Sequence, residues 1–147
     1  MATSNAATTY LENKLLSLIF KNNAGSFSTP GDSIYVGLAT AVSNAEAGTL
    51  TEVNTSTQDA NYVRRQVTAA NWTLASSSTD QQTVTNAANI EYPASSGVAT
   101  YTVTHAFLAD AATSGNILFV GALDASKAIA SGDIFRINAG NLTIELK

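Results

Sequence analysis

The chain has 147 residues, the size of one domain, and can bury a core without cross-links. Its net charge of −4 argues against nucleic acid as a partner, because phosphate contacts need clustered Lys and Arg. The absence of Cys excludes disulfide frameworks, thiolate metal sites and thiol nucleophiles, and no apolar run approaches the roughly 20 residues of a membrane helix.

The first few residues contain no basic segment followed by an apolar one, so no signal peptide is expected. Residues 1–8 read as a flexible N-terminal tail, and residues 9–147 as a single β-rich domain. A helix over residues 9–22 opens it. Thr9 and Glu12 have the spacing of a capping box. Leu11, Leu15 and Leu18 then fall at i, i+4 and i+7, and Leu16, Ile19 and Phe20 widen the apolar stripe. Lys14 and Lys21 are left for water. The stripe is expected to pack on the protein's own sheet, with docking on a partner subunit as the alternative. Asn22, Asn23 and Gly25 supply a stop.

The hydrophobic period then changes from 3.6 to 2. Pro30-Gly31 is a turn signal. Ile34, Val36 and Leu38 alternate as a half-buried strand does. Residues 42–60 show no strong period and carry Glu46, Glu52 and Asp59. A loop this long in a compact domain is usually functional or mobile, so contacts with a neighbour are expected here. Residues 62–68 read as a strand, with 71–74 continuing it. Residues 76–80 form a polar turn ending in Asp80, and 83–90 a weaker strand. Pro93 to Gly97 turns the chain again.

Residues 98–108 alternate strictly. Tyr101, Val103, His105 and Phe107 fall on one face, with Thr100, Thr102, Thr104 and Ala106 on the other. Residues 109–115 form a turn that includes Asp110. An apolar strand over 116–123, a connecting loop over 124–133, a strand over 134–137 and a tight turn at Asn138-Ala139-Gly140-Asn141 follow. Leu142, Ile144 and Leu146 alternate to the end. One helix followed by about seven short strands predicts a mainly β fold, a β-sandwich or jelly-roll-like domain with an N-terminal amphipathic α-helix.

Catalytic signals are sparse. His105 is the sole histidine and sits in a strand, where a hydrogen-bonded structural role is favoured over a general base. No Gly-x-Ser-x-Gly elbow, phosphate loop or dinucleotide fingerprint occurs. Asp110, Asp124 and Asp133 sit at turns, where carboxylates ordinarily serve the backbone and only rarely cleave a glycosidic bond. Acidic loops can hold Ca²⁺, but the D-x-D-x-D-G spacing is missing. No enzyme activity, metal or cofactor is expected. Trp72, Tyr62, Tyr92 and Tyr101 offer a carbohydrate-stacking surface in principle, and core or interface packing is the better reading of their dispersal.

Three segments carry a resemblance. Tyr10-Leu11-Glu12-Asn13-Lys14-Leu15-Leu16 precedes Tyr35-Val36-Gly37-Leu38. Tyr62-Val63-Arg64-Arg65-Gln66-Val67 comes later. Val103-Thr104-His105-Ala106-Phe107-Leu108 then leads to Gly115-Asn116-Ile117-Leu118 and Gly121-Ala122-Leu123. In this order they resemble a family of small bacteriophage virion structural proteins of cyanophages and other marine and soil phages, variously head decoration or tail-fibre-like proteins.

The resemblance implies a virion protein without active-site residues. Its partners would be other virion proteins, the major capsid protein or tail proteins. A homo-oligomer such as a trimer and a host-surface glycan ligand are the further implied contacts. A capsid decoration (cement) protein is the leading expectation. A tail adaptor, baseplate or short tail-fibre component is the alternative, and a carbohydrate-binding module a third. Charged residues are only 12%, against roughly 25% in ordinary domains, and small polar side chains fill the gap. Such a surface loses little side-chain entropy when covered, which suits an assembly. The candidate partner contacts are Glu46, Glu52, Asp59, Arg64, Arg65, Asp80 and Asp110. Within them, Glu52 or Asp59 is expected to pair with Arg64 or Arg65.

Overall fold

The computed structural model describes residues 5–21, 34–76 and 82–146. Asp80, the stop signal at Asn22 to Gly25 and the Pro30-Gly31 turn lie outside them. Over the described residues the chain is β-sandwich-like with one α-helix. In chain order it runs β1 (Ala6–Ala7), α1 (Thr9–Lys21), β2 (Ile34–Asn44), β3 (Thr49–Glu52), β4 (Arg65–Val67), β5 (Trp72–Ser76) and β6 (Gln82–Asn86). It continues through β7 (Ile90–Glu91), β8 (Tyr101–Ala109), β9 (Ile117–Ile129), β10 (Arg136–Ile137) and β11 (Thr143–Leu146). A 3-10 turn at Ala69–Asn71 leads into β5.

The large layer is antiparallel in the order β1-β9-β8-β2-β3, and β4 shares with β3 the outer edge of β2. The second layer comprises the β7–β10 pair and the three-stranded sheet β11-β6-β5. Between the layers lie Val36, Leu38, Tyr101, Val103, Ala106 and Ile129 from the large sheet. Ile90, Tyr92 and Ile137 meet them from β7, β10 and the segment after β7, and Trp72, Phe135 and Leu142 pack alongside. Strand alternation explains the selection, since residues two apart share a face.

The opposite face of the large sheet holds a smaller cluster of Ala39, Ala45, Phe107, Ala109 and Val120. Phe107 fits because Gly37 opposes it across the ladder. A Cβ on Gly37 would stand 2.2 Å from the Phe107 ring. This glycine is required for close approach.

Several boundaries differ from expectation. Residues 42–60 are not one long loop. β2 runs to Asn44, turns and returns as β3, with register shifts that bend the hairpin. The strand expected over 62–68 is paired only from Arg65 to Val67. The expected loop over 124–133 is strand as far as Ile129. A register shift between Val103 and His105 reverses the alternation of β8, so Tyr101 and Val103 share a cluster with Ala106, and Phe107 belongs to the other face. A bulge is invisible in a hydrophobic pattern that reads well on both sides of it.

The N-terminal end also differs. Of the expected flexible tail, Asn5 to Thr8 are held. Ala6 and Ala7 pair with Val120 and Phe119, and Asn5 Oδ1 accepts from the Ala122 N–H. The helix cap is Thr8 instead of Thr9. Thr8 Oγ1 receives the Leu11 N–H at 3.4 Å and donates to the Ile117 carbonyl at 2.6 Å. Of the helical stripe, only Leu11 is buried. Leu15 and Leu18 are half-buried, and Leu16, Ile19 and Phe20 are exposed.

Candidate functional site

Arg64 is the centre of a dense polar network. Its Nε and Nη2 donate to the two carboxylate oxygens of Glu52, and Nη1 donates to the carbonyls of Ala111 and Ser114, all at 2.8 Å. The guanidinium also lies 5.0 Å from the Phe107 ring centroid. This use of a planar fork is specific to Arg. The hydrogen bonds that Arg64 donates to Glu52 raise its pKa further. The Glu52 carboxylate accepts a third bond, from the Tyr62 hydroxyl at 2.8 Å, and that hydroxyl in turn accepts the Leu38 N–H at 2.9 Å. Burial is the main reason that the Tyr62 hydroxyl is pushed far above its ordinary value.

Asp59 organises a second network. Its Oδ1 accepts from the Ser96 and Asn61 N–H groups, and its Oδ2 from the Tyr101 hydroxyl. Burial pushes its pKa up, but these hydrogen bonds outweigh burial and hold it below the ordinary carboxylate value. Asp110 secures the β8–β9 turn, accepting the Asn116 backbone and side-chain N–H groups. Ser114 and Gly115 in this turn have φ of 53° and 72°. The Arg64 bond to the Ser114 carbonyl holds that left-handed pair in place.

Of the candidate contact residues, the structure therefore joins Glu52 and Arg64 as an ion pair and separates Asp59 and Asp110 into local networks of their own. All four are committed to the fold. Glu46 and Arg65 are exposed, and Asp80 lies outside the described residues. Tyr62, Tyr92 and Tyr101 are buried, with Tyr62 stacked on Tyr92 at 6.1 Å between centroids. Together with the half-buried Trp72 they form core and no stacking surface.

His105 Nδ1 lies 2.8 Å from Thr104 Oγ1, and burial lowers the pKa of the ring. No group of three or more His, Cys, Asp or Glu that could hold a metal occurs among the described residues. Among them too, no helix is long and apolar enough to cross a membrane.

The expected packing of the α1 stripe on the protein's own sheet is only partial, and Leu74 was not singled out from the sequence. Leu16, Ile19 and Phe20 stand out from α1, and Leu74 from β5. Beside the three-stranded sheet opens a cleft of about 1330 Å³, with Leu108, Leu123, Phe135 and Ile144 in its walls and Lys127 and Arg136 among its polar groups. Such a cavity is larger than most small-ligand pockets, and its walls include β10 and β11, which among the described residues pair with β7 and β6 respectively. The helix residues could be singled out from the sequence by their spacing. Their exposure could not.

A family model described as podophage GP4 fiber I protein gp80 matches residues 6–145. No curated protein matches the chain.

Proposed function

The chain belongs to the podophage GP4 fiber I protein gp80 family and is a structural protein of the phage virion, and from that membership we propose that it is a building block of a virion fibre. The observation that carries this reading is a family match over almost the whole chain, residues 6–145. The commitment of Glu52, Asp59, Arg64 and Asp110 to internal networks fits a structural part. So does a surface dominated by small polar groups, which is covered at low entropic cost. The work of the protein on this reading is mechanical and adhesive, without catalysis.

A fibre is built by repetition, so the protein associates with copies of itself as well as with other virion proteins. Any host-surface glycan is met by groups other than Tyr62, Tyr92 and Tyr101, which the core consumes.

Immunogold or tag labelling of intact particles, with quantitative mass spectrometry of copy number, tests the proposal. Label on an appendage, in copy numbers of about a few tens or fewer, is expected. Label over the whole head, with copies on the order of hundreds, would instead make it a capsid decoration protein.

A further inference from the structure

Residues 5–9 are held to the rest of the chain as a peptide is held by a sheet edge. Ala6 and Ala7 pair with Val120 and Phe119, and Asn5 Oδ1 accepts the Ala122 N–H at 2.6 Å. The Thr8 N–H donates to the Leu118 carbonyl at 2.9 Å and its hydroxyl to the Ile117 carbonyl at 2.6 Å. The Thr9 N–H donates to the Glu46 carbonyl at 2.8 Å, in the turn between β2 and β3. Thr8 is 2% exposed, and its methyl group lies beside Gly48, where a Cβ would stand 3.5 Å from it. Backbone bonds supply the grip and one buried side chain sets the register, as when an added strand is recognised by a sheet.

Past its first turn α1 adds little to this grip. Leu11 is buried, Leu15 and Leu18 are half-buried, and Leu16, Ile19 and Phe20 are 54%, 68% and 75% exposed. The attachment of β1 and α1 is therefore concentrated in residues 5–11.

We propose that β1 and α1 form an arm exchanged between copies, with residues 5–9 of one copy lying on the β9 edge and the β2–β3 turn of the next. This rests on the self-association proposed above and names the contact that carries it. The occupant is fixed by what the edge already holds. A second copy offers the same residues 5–9, which make every bond named above without any new complementary surface. Exchange of an identical element is for that reason a low-cost route to association. Residues 22–33 join the arm to β2, and at about 3.3 Å per residue a stretch of that length spans at most roughly 40 Å. That reach allows the arm to lie on the same edge of an adjoining copy. Reciprocal exchange closes a dimer, and giving the arm to one neighbour while receiving another's closes a ring or continues a filament.

The chain has no Cys, so introduced thiols link without background. Thr8 bonds to Leu118, so the preceding pair, Ala7 and Phe119, is a non-hydrogen-bonded one whose side chains stand closer across the ladder. Full-length Ala7→Cys and Phe119→Cys chains, coexpressed and mildly oxidised, can join positions 7 and 119 only between copies. The expected result is a reducible species of twice the chain mass in which peptide mass spectrometry finds that junction. Asn5→Cys with Gly121→Cys repeats the test without touching the core. The register of β1 continued by one residue sets these two positions opposite each other, and a Cβ on Gly121 would approach Asn5 Oδ1 no closer than 4.0 Å. An Ala7→Cys/Phe119→Cys double variant should give a ladder of linked chains. If the parent protein sediments as a monomer even at high concentration, self-association itself fails and the exchange with it. If the parent is oligomeric, yet neither coexpressed pair gives its junction and the double variant links only within its own chain, the exchange is overturned and self-association stands.

Discussion

Arg64 and Glu52 face each other in a two-pronged ion pair, with Nε on Oε1 and Nη2 on Oε2 at 2.8 Å each. The Arg64 side chain is 6% exposed and that of Glu52 28%. The pair is thus largely removed from water, and losing the cation strands a carboxylate together with the Ala111 and Ser114 carbonyls. Arg64→Ala is expected to cost roughly 3–5 kcal/mol, as for a broken buried pair. Arg64→Lys should recover a minor part, because an ammonium cannot make the parallel bonds. Urea unfolding measures both. An Arg64→Ala loss below about 1 kcal/mol, the range of surface pairs, would contradict the assignment.

Gly37→Ala should destabilise by about 1–3 kcal/mol or more through overpacking against Phe107. The ring is the obstacle, so combining Gly37→Ala with Phe107→Leu is expected to cost less than the two single losses summed. Thermal unfolding of the two single variants and the double variant tests this. Strict additivity would mean that backbone conformation, and not the ring, demands glycine.

Thr8 and Thr9 separate cleanly. Thr8→Ala removes the cap on the Leu11 N–H and the bond to Ile117, and should cost about 1–2 kcal/mol. Thr9 is exposed at the start of the helix, and Thr9→Ala should stay within about 0.5 kcal/mol of the parent. The reverse order in a denaturation series would restore the cap to Thr9.

Asp59 predicts an acid limb. Its folded pKa lies below the ordinary 3.8, so folding favours the carboxylate. Its contribution is complete above that value and is lost as pH falls through the lower folded value. Asp59→Asn should weaken the protein by about 2 kcal/mol near neutrality, since bonds to a charged acceptor are lost. The gap from the parent should narrow below about pH 4. A gap that is constant down to pH 2 in urea titrations would show that the network does not depend on the charge.

The extent to which the fold was legible in the sequence follows the range of the interactions. α1, the alternation of Ile34, Val36 and Leu38, and the turn at Asn138 to Asn141 are local signals and are found where they were read. The pairing of Glu52 or Asp59 with Arg64 or Arg65 was also anticipated. Its identity as Glu52 with Arg64 was not, because it depends on how β3 and β4 share the edge of β2. Asp59 lies close by in sequence yet is drawn to Tyr101 and Ser96.

By itself, the sequence determined the class of the protein: a capped helix followed by short alternating strands, no thiol, a lone histidine and a low-charge surface. Those properties depend on residue type and on spacings of two to four, which the chain carries before it folds. The tertiary structure alone decided which faces were used. A register shift after Val103 exchanged the two sides of β8, and the close approach of Gly37 to Phe107 made a second core. Only Leu11 of the helix stripe is buried. Burial is settled by where distant strands leave space, and an apolar stripe reads the same whether it meets its own sheet or waits for another.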